Sequence, residues 1–556
     1  MKKPTIHFIL LALLLLGLSW WNSSSLVFFN SDVGLRFRQA QELIVHQWET
    51  FAISYPAPTL DPDLEFIPLY CAYSVLQGQL FFNITPFVPL IASFLVAWLG
   101  PIGIVFISAL GGFLAAAGVY KIAKLAQIRH ALLAFWAAIL ATPLFFYSLH
   151  LWDHTPAVAC AVWGVYYAAW GLVNKKWSAV FLAGILFAFG IGQRPEMYMF
   201  TIALVISLLI VSRLRWQLLL SFAAGGLTGM IPIWWLQWRW FGHPLGMAVA
   251  TNLLGYGRPE QYAFTCQGQI HSVQVSRFLL YIGSHDYRSF AAAILAILGI
   301  FLFIFVLRIP RWQRPLPLWA AFILTLSGYL IWGSMIWQNV LPGLITTFPL
   351  LGFSLVYLEK PKEEQRNNYP IYQLSLLTTL FFLAGMLLFW PAYGGDHWGA
   401  RYLLPVYPLL IFLAFYVYET YERQEKLQKS LRIVGVSLLV LTIGLQLIGI
   451  RHIFVSLKTN KTLYQAIDAL PTETIITNHP FLPTTLISLW DRKTFLYVDD
   501  ENDIETLITR MDDNEISRFA FISLLDLPLS VPTQVEDIMV KQVTPVIYKL
   551  EKNDDS

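Results

Sequence analysis

The stretch that decides the fold is the first one. Ile6-His7-Phe8-Ile9-Leu10 opens an apolar run that reaches Phe29 without an Asp, Glu, Lys or Arg, and Asn30-Ser31-Asp32-Val33-Gly34-Leu35-Arg36-Phe37-Arg38 follows at once. A run of this length crosses a hydrocarbon core of about 30 Å. A carboxylate at the mouth of such a span is costly unless it has a partner or a task, and Asp32 must have one or the other.

The remainder of the chain repeats the pattern. Of 556 residues, 57% are hydrophobic and 13% charged, and mean hydropathy is +0.58. A soluble chain of this length needs far more charge to cover its surface. The excess lies in apolar runs of roughly 17–25 residues, the length of a membrane helix, and not in the alternation of a membrane β-barrel. The 21 Trp and 25 Tyr suit interfacial belts, and a net charge of +3 gives no argument for nucleic acid. Cys71, Cys160 and Cys266 are isolated and form no disulfide framework. Met1-Lys2-Lys3 precedes the first run, and Ser19-Trp20-Trp21-Asn22-Ser23 is a poor cleavage site, so an uncleaved signal anchor is expected.

Lys/Arg clusters mark the cytoplasmic turns. Lys2-Lys3 places the N-terminus inside and delivers Asp32 outside, into a loop broken by Tyr55-Pro56-Ala57-Pro58. The apolar stretch 80–99 reads as a re-entrant or interfacial helix, because a full crossing there would leave Lys121, Lys124 and Arg129 outside. Spans then follow at 101–123, 132–147, 155–173, 177–192, 197–211, 216–238, 289–307, 316–332, 341–357, 372–391, 403–419 and 433–450. With the first run this makes about 13 transmembrane helices. The expected fold is an α-helical polytopic membrane domain over 1–451, with long outer loops at about 30–100 and 239–288, followed by a small extracytoplasmic α/β domain over 452–556. In that domain 473–477, 494–498 and 540–550 read as strands and 502–511 as an amphipathic helix.

Asp32, the Trp152-Asp153-His154-Thr155 group, the Gln193-Arg194-Pro195-Glu196 group and Asp396-His397-Trp398 with Arg401 all fall at the outer ends of spans. Each has a bland reading. Asp32 or Asp153 can cap the helix after it, Arg194 and Glu196 can be a structural ion pair, and Asp396 and Arg401 can be a loop pair. Taken jointly, four accidents on one face are a weaker account than a site. Arginine forks such as Arg194 and Arg401 suit phosphate, His154 and His397 can donate to its oxygens, and a carboxylate such as Asp32 can take a proton from an attacking hydroxyl. Asp153, Glu196, Asp396 and Trp398 would support them. One base and a phosphate clamp fit glycosyl transfer from a phosphate-linked donor, whose leaving group needs no general acid.

The arrangement resembles the GT-C superfamily of membrane glycosyltransferases, near the protein mannosyltransferase and aminoarabinose transferase group. It does so in Asp32 with Gly34-Leu35-Arg36, in Trp152-Asp153-His154-Thr155, in Arg194-Pro195-Glu196 and in Trp398-Gly399-Ala400-Arg401-Tyr402-Leu403-Leu404-Pro405. The resemblance covers essentially the whole chain. It implies that Asp32 is the base, that the donor is a sugar on a polyprenyl phosphate, and that transfer to a hydroxyl acceptor inverts the anomeric carbon at the outer face of the plasma membrane. Family members often carry two adjacent acids in the first loop. Here Val33 follows Asp32, so a divalent metal is an open alternative, with Asp61, Asp63 and Glu65 as the remaining acids of the loop. No other cofactor is called for. Two further readings compete: a transporter or lipid flippase using the same polar groups, and an assembly scaffold. The mostly aliphatic span centres and the missing internal repeat count against the transporter.

Overall fold

The apolar runs fold as their length dictates. The computed structural model describes residues 4–23, 26–69, 72–213, 215–247, 279–280, 287–335, 343–358, 368–390, 398–422, 427–523 and 529–552. Among these residues nine helices are long and apolar enough to cross a membrane: Pro4–Ser23, Pro101–Leu125, His154–Asn174, Trp216–Phe241, Tyr287–Arg308, Pro315–Met335, Tyr369–Phe389, Arg401–Glu422 and Gln428–Asp468. Phe87–Leu99, Ala131–Leu140, Trp177–Gln193 and Glu196–Ser212 are shorter apolar helices. The nine long helices and the last three of these shorter ones fall on expected spans. Phe87–Leu99 occupies the stretch expected to be re-entrant or interfacial. The chain is a polytopic helical membrane protein.

One expected span, 341–357, is not a continuous helix. The chain makes one turn at Leu344–Thr347 and another at Leu351–Ser354, because Pro349 can neither donate to the helical ladder nor fit behind the preceding turn. Irregular backbone at membrane depth is tolerated only where protein satisfies it, and that is the case here. The Tyr329 hydroxyl donates to the Ile345 carbonyl, Gln446 Nε2 donates to the Thr347 carbonyl at 2.9 Å, and Thr347 Oγ1 pairs with the Tyr407 hydroxyl at 3.1 Å. The helix Gln428–Asp468 is longer than expected. Its 41 residues rise about 60 Å, roughly twice a hydrocarbon core.

The described chain divides into two compact units. The first comprises Met1–Trp21, Val105–Leu236 and Gln267–Ile453 and holds most of the membrane helices. Its helices meet at small residues, which let backbones approach closely where lipid removes the hydrophobic drive. A Cβ on Gly184 would collide with the Phe222 carbonyl, and one on Gly225 with the Phe181 carbonyl.

The second unit gathers Asn22–Ile104, Gln237–Cys266 and Phe454–Ser556. It opens with the helix Ser31–Val45 and a hairpin of β1 (Tyr73–Leu76) and β2 (Gln79–Phe82). The C-terminal residues form β3 (Thr474–Thr477), β4 (Thr494–Tyr497), β5 (Arg518–Ile522), β6 (Gln534–Val535), β7 (Ile538–Thr544) and β8 (Ile547–Lys552). The six lie in the order β4-β3-β5-β8-β7-β6, parallel from β4 to β5 and antiparallel beyond. The helix Glu501–Asp513 starts on a capping box between Asp500 and Asp503 and buries Ile504, Leu507, Ile508 and Met511. Ala57, Leu60 and Phe66 of the first loop complete this core. Asp61 fixes the loop from within. Its buried carboxylate accepts from the Tyr55 hydroxyl (2.6 Å) and the amides of Glu65 (2.7 Å) and Phe66 (2.9 Å), and Glu65 pairs with Arg510 at 2.6 Å.

Candidate functional site

The polar residues of the first unit converge because three short connections are held in place. In the first connection, Ser108 Oγ donates to the Trp152 carbonyl at 2.8 Å and accepts from the Trp152 amide at 2.9 Å, while Thr155 Oγ1 donates to the Ser108 carbonyl at 2.8 Å. This fixes Asp153 and His154 at the head of His154–Asn174. Asp153 occupies the N-cap position, yet its side chain makes no capping hydrogen bond. The carboxylate turns to Arg194 instead (Nη1–Oδ1 3.3 Å).

The second connection is Arg194-Pro195. Proline keeps the residue before it out of the helical region, so Arg194 is extended (φ −145°, ψ 129°) and ends Trp177–Gln193, while Glu196 opens the next helix. The turn brings Arg194 Nε to 2.9 and 3.1 Å from the two oxygens of Glu196. His154 Nδ1 lies 3.7 Å from the same carboxylate. Asp153, His154 and Glu196 are buried, and the Arg194 side chain is 9% exposed. Burial alone would push the Arg194 guanidinium down. Glu196 and then Asp153 outweigh it, and the group titrates above its usual value.

The third connection supplies Arg401 and Tyr402. The Tyr402 ring carries a guanidinium from each side of the sequence: Arg194 at 5.4 Å and Arg401 at 5.1 Å from its centroid. Arg401 Nη2 donates to the Tyr402 hydroxyl at 3.2 Å, and Trp390 packs on the same ring at 5.4 Å. Arg194 is neutralised twice over and nearly enclosed, whereas Arg401 is half-buried. An aromatic wall adjoins the cluster. Trp152 stacks on Tyr147 at 4.9 Å, and His154 meets both rings edge-on. Among the described residues, Trp152 Nε1 and His154 Nε2 are buried donors or acceptors without a hydrogen-bond partner, which is uncommon in a protein interior. Burial holds the His150 imidazole, in the connection before Trp152, down to about 3.

Asp32 belongs to the second unit. Asn30, not Asp32, caps Ser31–Val45, its Oδ1 accepting from the Val33 amide at 3.3 Å. Asp32 is half-buried in the first turn, where a negative charge suits the helix dipole. Arg36 Nη1 donates to its carbonyl at 2.7 Å. The helix is held along its length within the unit. Gly34 lies against the Thr484 carbonyl, and Arg38 bridges the buried Glu42 and Asp491 at 2.8 and 2.5 Å.

Five of the expected site residues therefore come together in one cluster, Asp153, His154, Arg194, Glu196 and Arg401, with the two arginines on the Tyr402 ring. Trp398 instead docks on Gln428–Asp468, its indole donating to Gln446 at 3.0 Å and covering Gly449. Asp396 and His397 lie outside the described residues. Of the remaining first-loop acids, Asp61 is consumed by its own turn and Glu65 by Arg510. Among the described residues no three His, Cys, Asp or Glu side chains are placed to hold a metal ion. Charge patterning missed Tyr402, Tyr147 and His150. The signal available was position: Tyr402 follows Arg401, and the other two precede Trp152-Asp153-His154.

No protein-family model matches the chain, and no curated protein sequence does. Solved structures do match. ArnT from Cupriavidus metallidurans in its apo state is 11% identical, with a TM-score of 0.53 over 98% of this chain and 97% of that one. The same protein bound to undecaprenyl phosphate is 13% identical, with a TM-score of 0.50 over the same shares. The Archaeoglobus fulgidus oligosaccharyltransferase in complex with zinc and sulfate is 12% identical, with a TM-score of 0.50 over 93% of this chain and 68% of that one. The chain has the fold of ArnT, as the sequence resemblance leads one to expect.

Proposed function

We propose that the chain is a membrane glycosyltransferase that moves a sugar from a polyprenyl-phosphate donor to a hydroxyl acceptor at the outer face of the membrane, with inversion. The N-terminus is then cytoplasmic and the C-terminal sheet domain extracytoplasmic. The observation that carries the reading is the pair of guanidiniums on the Tyr402 ring, one of them half-buried, in a chain with the GT-C fold. The ArnT structure of that fold has undecaprenyl phosphate bound.

The charges divide the work. Arg194 is paired with both Asp153 and Glu196, and its task is to hold Tyr402. Arg401 meets the donor phosphate, with His154 as a further hydrogen-bond group. The acceptor oxygen attacks the anomeric carbon from the face opposite the phosphate, and the carbon–oxygen bond to phosphate breaks. The acceptor proton passes to the Asp32 carboxylate, and the polyprenyl phosphate departs with the extra charge that Arg401 stabilises.

The test is Asp32→Asn, which keeps size and hydrogen bonding but cannot take the proton. Transfer of labelled sugar is expected to vanish while expression and thermal unfolding stay at wild type; wild-type rates would remove Asp32 from the reaction. Arg401→Ala is expected to raise the donor KM, and unchanged donor kinetics would contradict its role.

A further inference from the structure

At the far end of Tyr407–Glu422 from Arg401, the first unit holds a cavity of about 340 Å³. This is about ten times the ~30 Å³ share of a water molecule. Its walls are apolar: Leu350, Phe353 and Phe415 on the inner side, and Leu133 and Val436 on the outer side. Leu133 and Val436 are 47% and 53% exposed. On helices of a membrane protein, that exposed apolar surface faces hydrocarbon, so the cavity opens sideways into the bilayer.

The mouth is polar. Glu422 accepts from Arg129 at 3.0 Å and from the Tyr418 hydroxyl at 3.3 Å, and His130 lies 3.4 Å away. Arg129 also holds Glu419. Glu419 and Glu422 thus share the Arg129 guanidinium. Arg432 also lines the cavity, is exposed, and forms no ion pair among the described residues. Among the described residues the rim therefore presents a carboxylate at Glu422 and an exposed guanidinium at Arg432.

We infer that this cavity binds one acyl chain of a zwitterionic aminophospholipid, with the phosphate on Arg432 and the primary ammonium on Glu422. Moving an acyl chain from bilayer to cavity exchanges one apolar surrounding for another, so the head group sets the selectivity. A lipid with no ammonium leaves Glu422 without a head-group contact. A quaternary amine fits the charge but cannot donate a hydrogen bond to the carboxylate.

The full-length protein, reconstituted in vesicles equimolar in phosphatidylethanolamine, phosphatidylglycerol and phosphatidylcholine of matched chains, is extracted and weighed by native mass spectrometry. The expected result is one retained phosphatidylethanolamine, enriched over both other lipids. Arg432→Ala removes one charge-assisted contact and should lower retention about tenfold. Because Arg432 is exposed, the variant keeps its thermal unfolding and its sugar transfer. Gly435→Leu puts a side chain at the cavity wall beside the Tyr418 ring and should abolish retention. Equal retention of the three lipids, preference for phosphatidylglycerol, or full retention by a folded Arg432→Ala would overturn the inference.

Discussion

Arg194 can be replaced by methionine, which fills similar space and carries no charge. The change leaves Asp153 and Glu196 buried, 0% and 2% exposed, and removes three contacts of 2.9, 3.1 and 3.3 Å. Breaking a buried ion pair from one side costs about 3–5 kcal/mol, because the stranded charge keeps its desolvation penalty. Here two carboxylates lose the same guanidinium, which puts the cost at the upper end of that range. Glu196→Gln alone should cost about 1–3 kcal/mol. In the double variant only Asp153 loses a guanidinium as a charged partner, so its cost should fall short of the sum by about 0.5–3 kcal/mol. Denaturant unfolding of the solubilised protein, followed by tryptophan fluorescence, reads all three. A single-variant loss under about 1 kcal/mol, or a strictly additive cycle, would refute the argument that Arg194 serves the two carboxylates before it serves any ligand.

Three other outcomes follow from the geometry. Tyr402→Leu removes the platform under both guanidiniums, at about 0.5–2 kcal/mol each, and should raise the donor KM about tenfold with a smaller change in kcat; Tyr402→Phe keeps the ring and should fall between. Asn30→Ala removes the N-cap of Ser31–Val45 and should cost about 1 kcal/mol in unfolding; no loss would place the cap elsewhere. His150 gives a pH dependence. Its imidazole stays neutral in the folded protein down to about 3, whereas the unfolded chain protonates near 6.5. The unfolded state therefore binds the extra proton across that window, and stability falls as pH falls, by up to about 1.4 kcal/mol per unit. His150→Phe should flatten that part of the profile, and an unchanged slope would contradict the burial argument.

Much of this fold was legible in the sequence, because apolar length is a property of single segments. The helices on either side of Arg194-Pro195 and the head of His154–Asn174 are where hydropathy and basic turns put them. The segment 341–357 was misread because its composition is that of a span, and only Pro349 signals the break. Its stability depends on partners distant in sequence, Tyr329, Tyr407 and Gln446, which no local pattern reveals. The site was half legible for the same reason. Charged residues at span ends stand out against an apolar background, which exposed Asp153, Arg194, Glu196 and Arg401. Tyr402 is one aromatic among many, and its role appears only when two guanidiniums are seen on its ring. Residue type allows Asp32 to cap, yet Asn30, two positions earlier, is equally able and has the extended backbone that a cap requires.

The joint core of the first loop and the C-terminal sheet sets a timetable for biosynthesis. Ala57, Leu60 and Phe66 emerge early, but their partners Ile476, Leu496 and Phe521 are made later. With roughly 400 residues between them and synthesis at about 5–20 residues per second, the wait is about 20–80 seconds. For that interval the segment beside Asp32 has no core to join. It is then open to proteases and dependent on whatever shields nascent loops, and a chain truncated before the sheet never leaves that state. A chimera that exchanges the C-terminal domain alone would inherit the same defect; the first loop has to travel with it.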